Sequence, residues 1–263
     1  MWIRKSIHFI WTALVLGGFF LRSAVIRMIS RDPVKRRLLA VKNTTITSRR
    51  FLKTFKIRLK VKNPELLDRF RGENYMVVGN HASYLDIFLL ASQENYVFIS
   101  SVQMNETPVL GSITRAGGCL FTDRKRKATL PQEIRRFAET VRQGFKVVLF
   151  PEEPGCDGSE VKSFRKSLFQ VAVDACCAVV PVCIRYLRLD GKPVNHENRK
   201  IVCWFEGIQF VRHLWELMAR RLEAEICFLD PVLYDPELKR GEISDLVHAR
   251  VSETFNSYDA QTS

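Results

Sequence analysis

The stretch Asn80-His81-Ala82-Ser83-Tyr84-Leu85-Asp86 places a histidine and a carboxylate five positions apart, directly after the apolar run YMVV at 75–78. The apolar run predicts a buried strand that ends just before His81. Ser83 is followed by an acid three positions later and then by IFLL, a pattern that predicts a helix start with a capping box. Two residues five apart in one helix diverge by about 140°, so His81 meets Asp86 only from outside the helix.

This geometry is typical of a catalytic histidine. The carboxylate of Asp86 accepts a hydrogen bond from one ring nitrogen of His81 and leaves the other nitrogen free to act as a general base. The pair is half of a catalytic triad, without its nucleophile. The alternative is that Asp86 only caps the helix and that His81 is an ordinary turn residue. These seven residues by themselves leave both interpretations open.

Three further blocks follow in order. Residues 118–124, GCLFTDR, have the form G-x-x-F-x-x-R; Phe150-Pro151-Glu152 ends a second apolar run; and residues 179–182, VVPV, place a proline in a strand-like stretch. With the first block, they make the chain resemble the glycerolipid acyltransferase family typified by bacterial lysophosphatidic acid acyltransferase. The resemblance covers roughly residues 55–210. The ordered set of four blocks is much more specific than a histidine and an aspartate alone.

The resemblance implies a role for each part of the first block. His81 is expected to remove the proton from a lysophospholipid hydroxyl, and Asp86 to orient and stabilise the imidazole. The hydroxyl then attacks the thioester directly, so the reaction needs no nucleophile from the enzyme. Ser83, Cys119 and Cys156 are the alternative nucleophiles. Ser83 is better explained as a helix cap, and neither cysteine has a sequence context that favours this role.

The other blocks are expected to bind the substrates. Arg124 offers a planar fork of donors that suits the phosphate of lysophosphatidic acid, and Gly118 lets the backbone approach the acceptor closely. The resemblance implies that Glu152 helps to hold the acceptor and that Pro181 belongs to the acyl-donor side. Two structural alternatives stay open: Arg124 is a member of the solvated basic run 124–127, and Pro181 marks an edge strand or a bulge.

The chain departs from the family pattern after Glu152. The family commonly continues with Gly and then Thr or Ser, whereas this chain has Glu153-Pro154-Gly155-Cys156. The change removes a phosphate contact, for which Arg165 or Lys166 is a substitute. It keeps a rival hypothesis open, a catalytically silent lipid- or nucleic-acid-binding protein. A third hypothesis is a thioester hydrolase, in which the histidine activates water; retention of Arg124, which water does not need, argues against it.

Apolar runs alternate with helical patterns along the body of the chain. Strands are expected near 56–62, 75–79, 96–100, 119–122, 146–150, 178–186, 200–206 and 226–229. Helices are expected at 132–143, 164–176, 213–225 and 244–255. This alternation predicts an α/β layered domain with a largely parallel central sheet flanked by helices. We expect an N-terminal membrane-anchoring region, 1–55, and an acyltransferase domain, 56–263.

The N-terminal region carries most of the charge. Residues 1–62 hold sixteen Lys and Arg and one acid; since the whole chain is +13, the remaining 201 residues sum to −2. A basic segment beside a near-neutral body predicts a polyanionic partner. Residues 7–21 carry no formal charge, which favours anionic membrane lipid over nucleic acid. They make about 22 Å of helix, which spans a bilayer only if Arg22 snorkels and the run extends to Met28, and otherwise lies in the interface.

A second basic segment, 33–56, predicts an amphipathic surface helix interrupted at Asn43-Thr44-Thr45, with an ordinary helix packed on the body as the alternative. Seven cysteines without a C-x-x-C pair predict a reducing, cytosolic compartment. His196, His213 and His248 are scattered and lack metal-ligand spacing, so no metal is expected.

These features together predict an O-acyltransferase of the inner (cytoplasmic) membrane, with its catalytic domain facing the cytoplasm. It is expected to move a fatty acyl chain from acyl-CoA or acyl carrier protein to a lysophospholipid. The simplest acceptor is 1-acylglycerol 3-phosphate, which gives phosphatidic acid. The acyl thioester is a co-substrate, and neither a cofactor nor a nucleic acid partner is expected.

Overall fold

The centre of the molecule is a sheet of eight strands, counted over the residues that the structure describes. The computed structural model describes residues 2–70, 72–123, 125–152, 157–205 and 208–257. The strands are β1 (Ile57–Lys62), β2 (Tyr75–Gly79), β3 (Tyr96–Ser101), β4 (Leu120–Thr122), β5 (Lys146–Leu149), β6 (Ala178–Leu189), β7 (Lys192–Pro193) and β8 (Leu222–Phe228). Their spatial order is β1-β8-β6-β2-β5-β3-β4, with β7 paired to β6.

All neighbouring strands run parallel except β6 with β7 and β6 with β8. Helices flank the sheet. They are α1 (Trp2–Ile29), α2 (Pro33–Thr54), α3 (Glu65–Asp68), α4 (Leu85–Ala91), α5 (Val102–Glu106), α6 (Leu110–Ala116), α7 (Leu130–Arg142), α8 (Gln170–Ala175), α9 (Phe210–Leu217) and α10 (Arg240–Ser257). The α/β fold with a largely parallel sheet is confirmed.

Strand β2 lies at the centre because all of its side chains tolerate burial. Its five residues are buried, as expected for a strand of a parallel sheet with both faces covered. Tyr75 and Val77 pack into one core with side chains from α2 and α4, whereas Met76 and Val78 pack into the other with side chains from α7, α8 and α10. The carboxyl end of β2 therefore delivers the next residues to the edge where open α/β sheets bind ligands.

The strand predicted at 200–206 is wrong. Arg199–Ile201 form a short 3-10 helix, and residues 203–205 are irregular. Trp204 donates its backbone N–H to the Ala82 carbonyl at 2.8 Å, so this segment is fixed to the loop that follows β2 and not to a sheet ladder. Val202 and Cys203 are buried there, which explains the strand-like apolar pattern.

The helix predicted at 213–225 has the wrong end. Helix α9 stops at Leu217, Ala219 has a left-handed φ of 68°, and β8 starts at Leu222. Strand β8 pairs with β1 on one side and β6 on the other. Two ladders outweigh the helix propensity of a sequence rich in Leu, Ala and Glu, because propensity is a weak preference that tertiary contacts override. The helix predicted at 164–176 is divided between a 3-10 helix, Lys166–Phe169, and α8.

Helix α2 is continuous, so the interruption predicted at Asn43-Thr44-Thr45 is wrong. The hydroxyls of Thr44 and Thr45 donate to the carbonyls four residues earlier, both at 3.1 Å. Such back-bonding satisfies the hydroxyls without breaking the helix. The carboxyl end of α2 contributes Phe51 and Leu52 to one core, so α2 packs on the body as well as on α1.

A buried polar network joins α1 to α2. Arg22 donates from Nε to Asn43 Oδ1 at 2.6 Å and from Nη2 to Thr47 Oγ1 at 3.0 Å. Asn43 Nδ2 donates to the Phe19 carbonyl and to Ser23 Oγ, both at 3.0 Å. Arg22 therefore pairs with α2, and its snorkelling at a bilayer stays a prediction.

Helix α1 has the length and composition of a membrane-spanning helix. Within Lys5–Ile29, a window of 18 residues has a mean hydropathy of 1.8. One side of the helix packs on α2, and Phe9 near its start contacts the Trp215 ring of α9 with centroids 6.2 Å apart. The apolar side chains exposed along it are Ile7, Phe9, Ile10, Trp11, Leu14, Phe20, Leu21, Val25, Met28 and Ile29.

We predict that Gly79→Ala destabilises the protein by about 2–3 kcal/mol, because a Cβ would lie 2.4 Å from the Val182 carbonyl oxygen and overpacking costs this much. The matched control is Gly17→Ala in α1, where no atom lies within 4 Å and a change below about 1 kcal/mol is expected. Urea unfolding in detergent, followed by tryptophan fluorescence, measures both. Equal stability of the two variants would show that β2 and β6 do not approach this closely.

Candidate active site

The loop after β2 is fixed by the Asn80 side chain, whose amide group makes the two hydrogen bonds to β6 that a strand residue would make. Asn80 Nδ2 donates to the Ile184 carbonyl at 2.9 Å, and Asn80 Oδ1 accepts from the Ile184 N–H at 2.8 Å. Strand β6 runs on past the end of β2, so the Asn80 amide continues the ladder by one position. The buried Asn80 therefore sets the point at which His81 leaves the sheet.

Asp86 is the centre of the site. Its side chain is 1% exposed, and its Oδ2 atom accepts from His81 Nδ1 and from the backbone N–H groups of Ala82 and Ser83, each at 2.9 Å. Its other oxygen, Oδ1, accepts from the Tyr186 hydroxyl. Helix α4 begins at Leu85, so His81 reaches Asp86 from outside the helix, as its sequence spacing predicts. The carboxylate both orients the histidine and closes the start of the helix, so the two interpretations are compatible.

Ser83 is engaged in the helix start. Its N–H donates to Asp86, and its Oγ accepts from the Leu85 N–H at 3.4 Å. Ser83 is 1% exposed. A side chain committed in this way fits the capping role better than that of a nucleophile.

The imidazole of His81 is held between Asp86 and an aromatic ring. The His81 and Phe150 rings stack with centroids 4.3 Å apart and planes 12° apart. Nδ1 faces Asp86, which makes it the protonated nitrogen of the neutral ring and leaves Nε2 as the basic one. The side chain is 37% exposed, so the ring is reachable from outside.

Glu152 holds the backbone of His81 in place. Its side chain is 5% exposed, and Oε2 accepts the His81 backbone N–H at 3.2 Å. Glu152 also forms an isolated bridge with Phe164, and the Arg165 N–H donates to the Pro151 carbonyl at 3.0 Å. The F-P-E block and the first block are thus brought together. The role that the resemblance gives Glu152 in holding the acceptor stays a prediction.

A cleft of about 490 Å³ opens beside Phe150. Its lining includes two cations, Arg165 and Lys166, which the sequence offered as substitutes for a missing phosphate contact. Lys166 is paired with Asp245 at 2.7 Å. The full lining is Thr122, Asp123, Leu130, Leu149, Phe150, Pro151, Arg165, Lys166, Ser167 and Leu168.

Gly118 lies against the N-terminal helix. It has a φ of +80°, in the left-handed region that favours glycine, and a Cβ there would meet Ala40 Cβ at 3.3 Å and Arg37 Cγ at 3.5 Å. The missing side chain makes room for α2, and contact with an acceptor stays a prediction. Arg124 and the departure at 153–156 lie outside the described residues.

Pro181 is buried in the interior of the sheet, not on an edge. It pairs with Val78 of β2, and its carbonyl accepts from the Leu229 N–H at 2.9 Å. The backbone N–H and C=O of a strand residue point toward the same neighbouring strand. The N–H that proline lacks would therefore point toward the residues that follow β8, and the pairing with β2 loses no hydrogen bond. The β6–β8 irregularity lies farther along, at Tyr186–Arg188. No contact joins Pro181 to His81 within the described residues, and its link with the acyl donor stays a prediction.

Two functional residues were missed from the sequence, Asn80 and Tyr186. Asn80 has no role in the sequence prediction, although an amide side chain directly after an apolar run is a recognisable signal of a fixed turn. Tyr186 is 100 positions from Asp86, so only the strand order brings them together. Burial and then the charge of Asp86 raise the pKa of Tyr186 well above its ordinary value, so the phenol stays a neutral donor.

Comparisons with known proteins show which family the chain resembles. A family model described as Acyltransferase matches residues 58–185. The chain is 30% identical over 206 residues to the lyso-ornithine lipid O-acyltransferase of Rhizobium meliloti (strain 1021), covering 75% of this chain and 70% of that protein. It is 33% identical over 117 residues to the 1-acyl-sn-glycerol-3-phosphate acyltransferase of Neisseria gonorrhoeae, covering 44% and 46%.

A solved structure has the same fold. The crystal structure of the 1-acyl-sn-glycerophosphate (LPA) acyltransferase PlsC from Thermotoga maritima superposes with a TM-score of 0.67. The match covers 98% of this chain and 97% of that one, at 20% identity. At this identity the likeness shows a shared architecture, including the region that precedes β1.

We predict that Asp86→Asn lowers the free energy of unfolding by about 3 kcal/mol, because an amide nitrogen would face donors that a buried carboxylate oxygen now satisfies. The control is Asp157→Asn, a partly exposed aspartate bonded to the Ser159 N–H, for which a loss below about 1 kcal/mol is expected. Urea titration in detergent compares them. A loss at Asp86 no greater than at Asp157 would refute the central place given to Asp86.

Proposed function

This chain belongs to the acyltransferase family that includes lyso-ornithine lipid and 1-acyl-sn-glycerol-3-phosphate acyltransferases, and from that premise we propose that it transfers a fatty acyl chain from acyl-CoA or acyl carrier protein to the hydroxyl of a lyso-lipid. The observation that carries the proposal is the His81 ring, oriented by a fully hydrogen-bonded Asp86 and stacked on Phe150. The arrangement supports a general base for direct transfer.

The reaction follows from this geometry. Nε2 of His81 accepts the proton of the acceptor hydroxyl while the oxygen attacks the thioester carbonyl carbon. The charge that develops on the imidazole is stabilised by Asp86 through Nδ1. The carbon–sulfur bond then breaks, and the departing thiolate takes the proton from His81. General-base catalysis of this kind contributes about 10²–10⁴-fold in rate.

Two acceptors are candidates, and each has a separate argument. Two relatives named lyso-ornithine lipid O-acyltransferase match 75% and 69% of this chain in sequence. The sequence prediction of 1-acylglycerol 3-phosphate rests on the G-x-x-F-x-x-R block and on relatives of that name at 33% identity. Ornithine is an amino acid without phosphate, so the two acceptors make different demands on the arginine of that block. We put lyso-ornithine lipid first because the relatives of that name cover more of this chain than the curated 1-acyl-sn-glycerol-3-phosphate acyltransferases at 33% identity do.

The same proposal includes a location. Helix α1 is long and apolar enough to hold the chain at a membrane, and we place the chain at the inner membrane with the cytoplasm on the catalytic side.

Burial raises the pKa of the Cys119 thiol to about 12, so it stays protonated and is a poor candidate for the alternative nucleophile.

We predict that purified protein in detergent releases thiol from palmitoyl-CoA only when a lyso-lipid is added, and that His81→Ala abolishes the release because the hydroxyl loses its base. Lyso-ornithine lipid and 1-acylglycerol 3-phosphate are tested side by side, with acyl carrier protein thioester as the second donor. The control is His248→Ala on α10, which leaves the site intact.

The other outcomes separate the rival hypotheses. Release that is independent of any acceptor would indicate a thioester hydrolase. No release with either donor and either acceptor, from protein that still binds vesicles, would favour a silent lipid-binding protein. Full activity of His81→Ala would refute the general base.

We also predict that Tyr186→Phe lowers kcat about tenfold and leaves KM unchanged, because removal of a hydrogen bond to a charged group costs about 1.5–3 kcal/mol and Tyr186 acts through Asp86 without touching substrate. The control is Tyr84→Phe, whose hydroxyl contacts His213 Nδ1 at 3.1 Å and not Asp86. Steady-state kinetics separate the two constants. A change in KM alone would contradict the positioning role.

A further inference from the structure

A second cavity, of about 260 Å³, lies between the N-terminal helices and the approach to β4. It is lined by Ser23, Ile26, Arg27, Pro33, Arg36, Arg37, Ala40, Arg115, Ala116, Gly118 and Cys119. The cavity shares no residue with the cleft beside Phe150. We refer to it as the arginine pocket, since four of its lining residues are arginines.

The arginine pocket carries a positive charge that the protein does not neutralise. No carboxylate lines it, and within the described part of the chain none of its four arginines takes part in an ion pair. The one acid nearby in sequence, Asp32, accepts from the Val34 N–H at the start of α2. Asp32 is the N-cap of α2, so its carboxylate offsets the positive end of that helix and does not pair with an arginine of the pocket.

Two of the arginines are anchored by neutral groups. Arg115 Nη1 donates to the Asn105 carbonyl at 2.7 Å and to Asn105 Oδ1 at 2.9 Å. The Arg37 guanidinium lies over the Phe145 ring, 5.9 Å from its centroid. Burial, and then the charge of Arg136, lower the pKa of Arg37 below its ordinary value. These contacts fix the guanidinium groups and leave their charge available to an anion.

The arginine pocket lies on the opposite side of α1 from the exposed apolar side chains of that helix. Ser23, Ile26 and Arg27 face the pocket, whereas the exposed apolar residues of the same turns are Leu21, Val25 and Met28. At 100° per residue the two sets lie roughly 180° apart, across a helix about 10 Å wide. An interfacial helix buries its apolar face about 5–10 Å into the boundary between head groups and acyl chains. The pocket then sits at the level of the lipid phosphates.

We propose that the arginine pocket binds the head-group phosphate of an anionic phospholipid, at a site that shares no lining residue with the cleft beside Phe150. Guanidinium groups bind phosphate through paired N–H donors, and a cluster of four without a carboxylate is suited to that oxyanion. The bound lipid ties α1 and α2 to the segment before β4, because Arg27, Arg36 and Arg115 come from three different helices. This inference does not depend on the acyltransferase assignment.

The test compares two double variants that remove the same charge from the same part of the chain. Arg27→Gln/Arg36→Gln removes two of the pocket's three exposed arginines, and Arg31→Gln/Lys35→Gln removes two neighbouring exposed cations that do not line it. Binding of the full chain to phosphatidylcholine vesicles that contain phosphatidylglycerol is measured by sedimentation at constant ionic strength. We expect the pocket variant to bind at least tenfold more weakly than the control variant.

Each other outcome overturns the proposal. Equal weakening of the two variants would show that the attraction is spread over the whole basic region. Thermal unfolding of both variants checks that a difference does not arise from loss of the fold. Inorganic phosphate is the second arm: if calorimetry shows that phosphate binds the wild-type protein and not the pocket variant, while the pocket and control variants bind vesicles equally, the site takes free phosphate and the lipid assignment fails.

Discussion

The structure of the candidate site depends on one buried carboxylate. Asp86 accepts hydrogen bonds from a histidine ring, two backbone amides and a tyrosine hydroxyl, and it is almost inaccessible to water. A buried charge is tolerated only when such partners satisfy it. The helix start, the loop after β2 and the far end of β6 are therefore fixed relative to each other by the same group that orients His81. Stability and proposed chemistry share this group, so they are expected to fail together.

A second constraint is how the N-terminal region is attached. The polar network around Arg22 and Asn43 is buried between α1 and α2, while Phe51 joins the core under β2. A helix apolar enough for a membrane is in this way coupled to the sheet that carries His81. The unpaired arginines where α1 and α2 meet lie at the opposite side of α1 from its apolar face. The fold thus places an apolar surface and a basic surface on opposite sides of α1.

Much of the fold and the core of the site could be predicted from local patterns. Apolar runs located six of the strands closely, and the five-residue spacing of His81 and Asp86 predicted their contact. Predictions failed where distant contacts decide: Val202 and Cys203 are buried beside the loop that follows β2, and β8 is a strand because two neighbours pair with it. Tyr186 could not be found because strand order, which no local pattern encodes, brings it to Asp86.

The central claim is that His81 activates the acceptor hydroxyl for direct attack on the thioester, so that no covalent acyl-enzyme intermediate forms. Intact-mass spectrometry of the protein, quenched during reaction with acyl-CoA before and after addition of the lyso-lipid acceptor, tests this most directly. The account predicts an unmodified protein mass at every time while acylated lipid accumulates. A protein carrying one covalent acyl group, formed before the acceptor is added and lost on its addition, would contradict it and would place the nucleophile on a serine or cysteine.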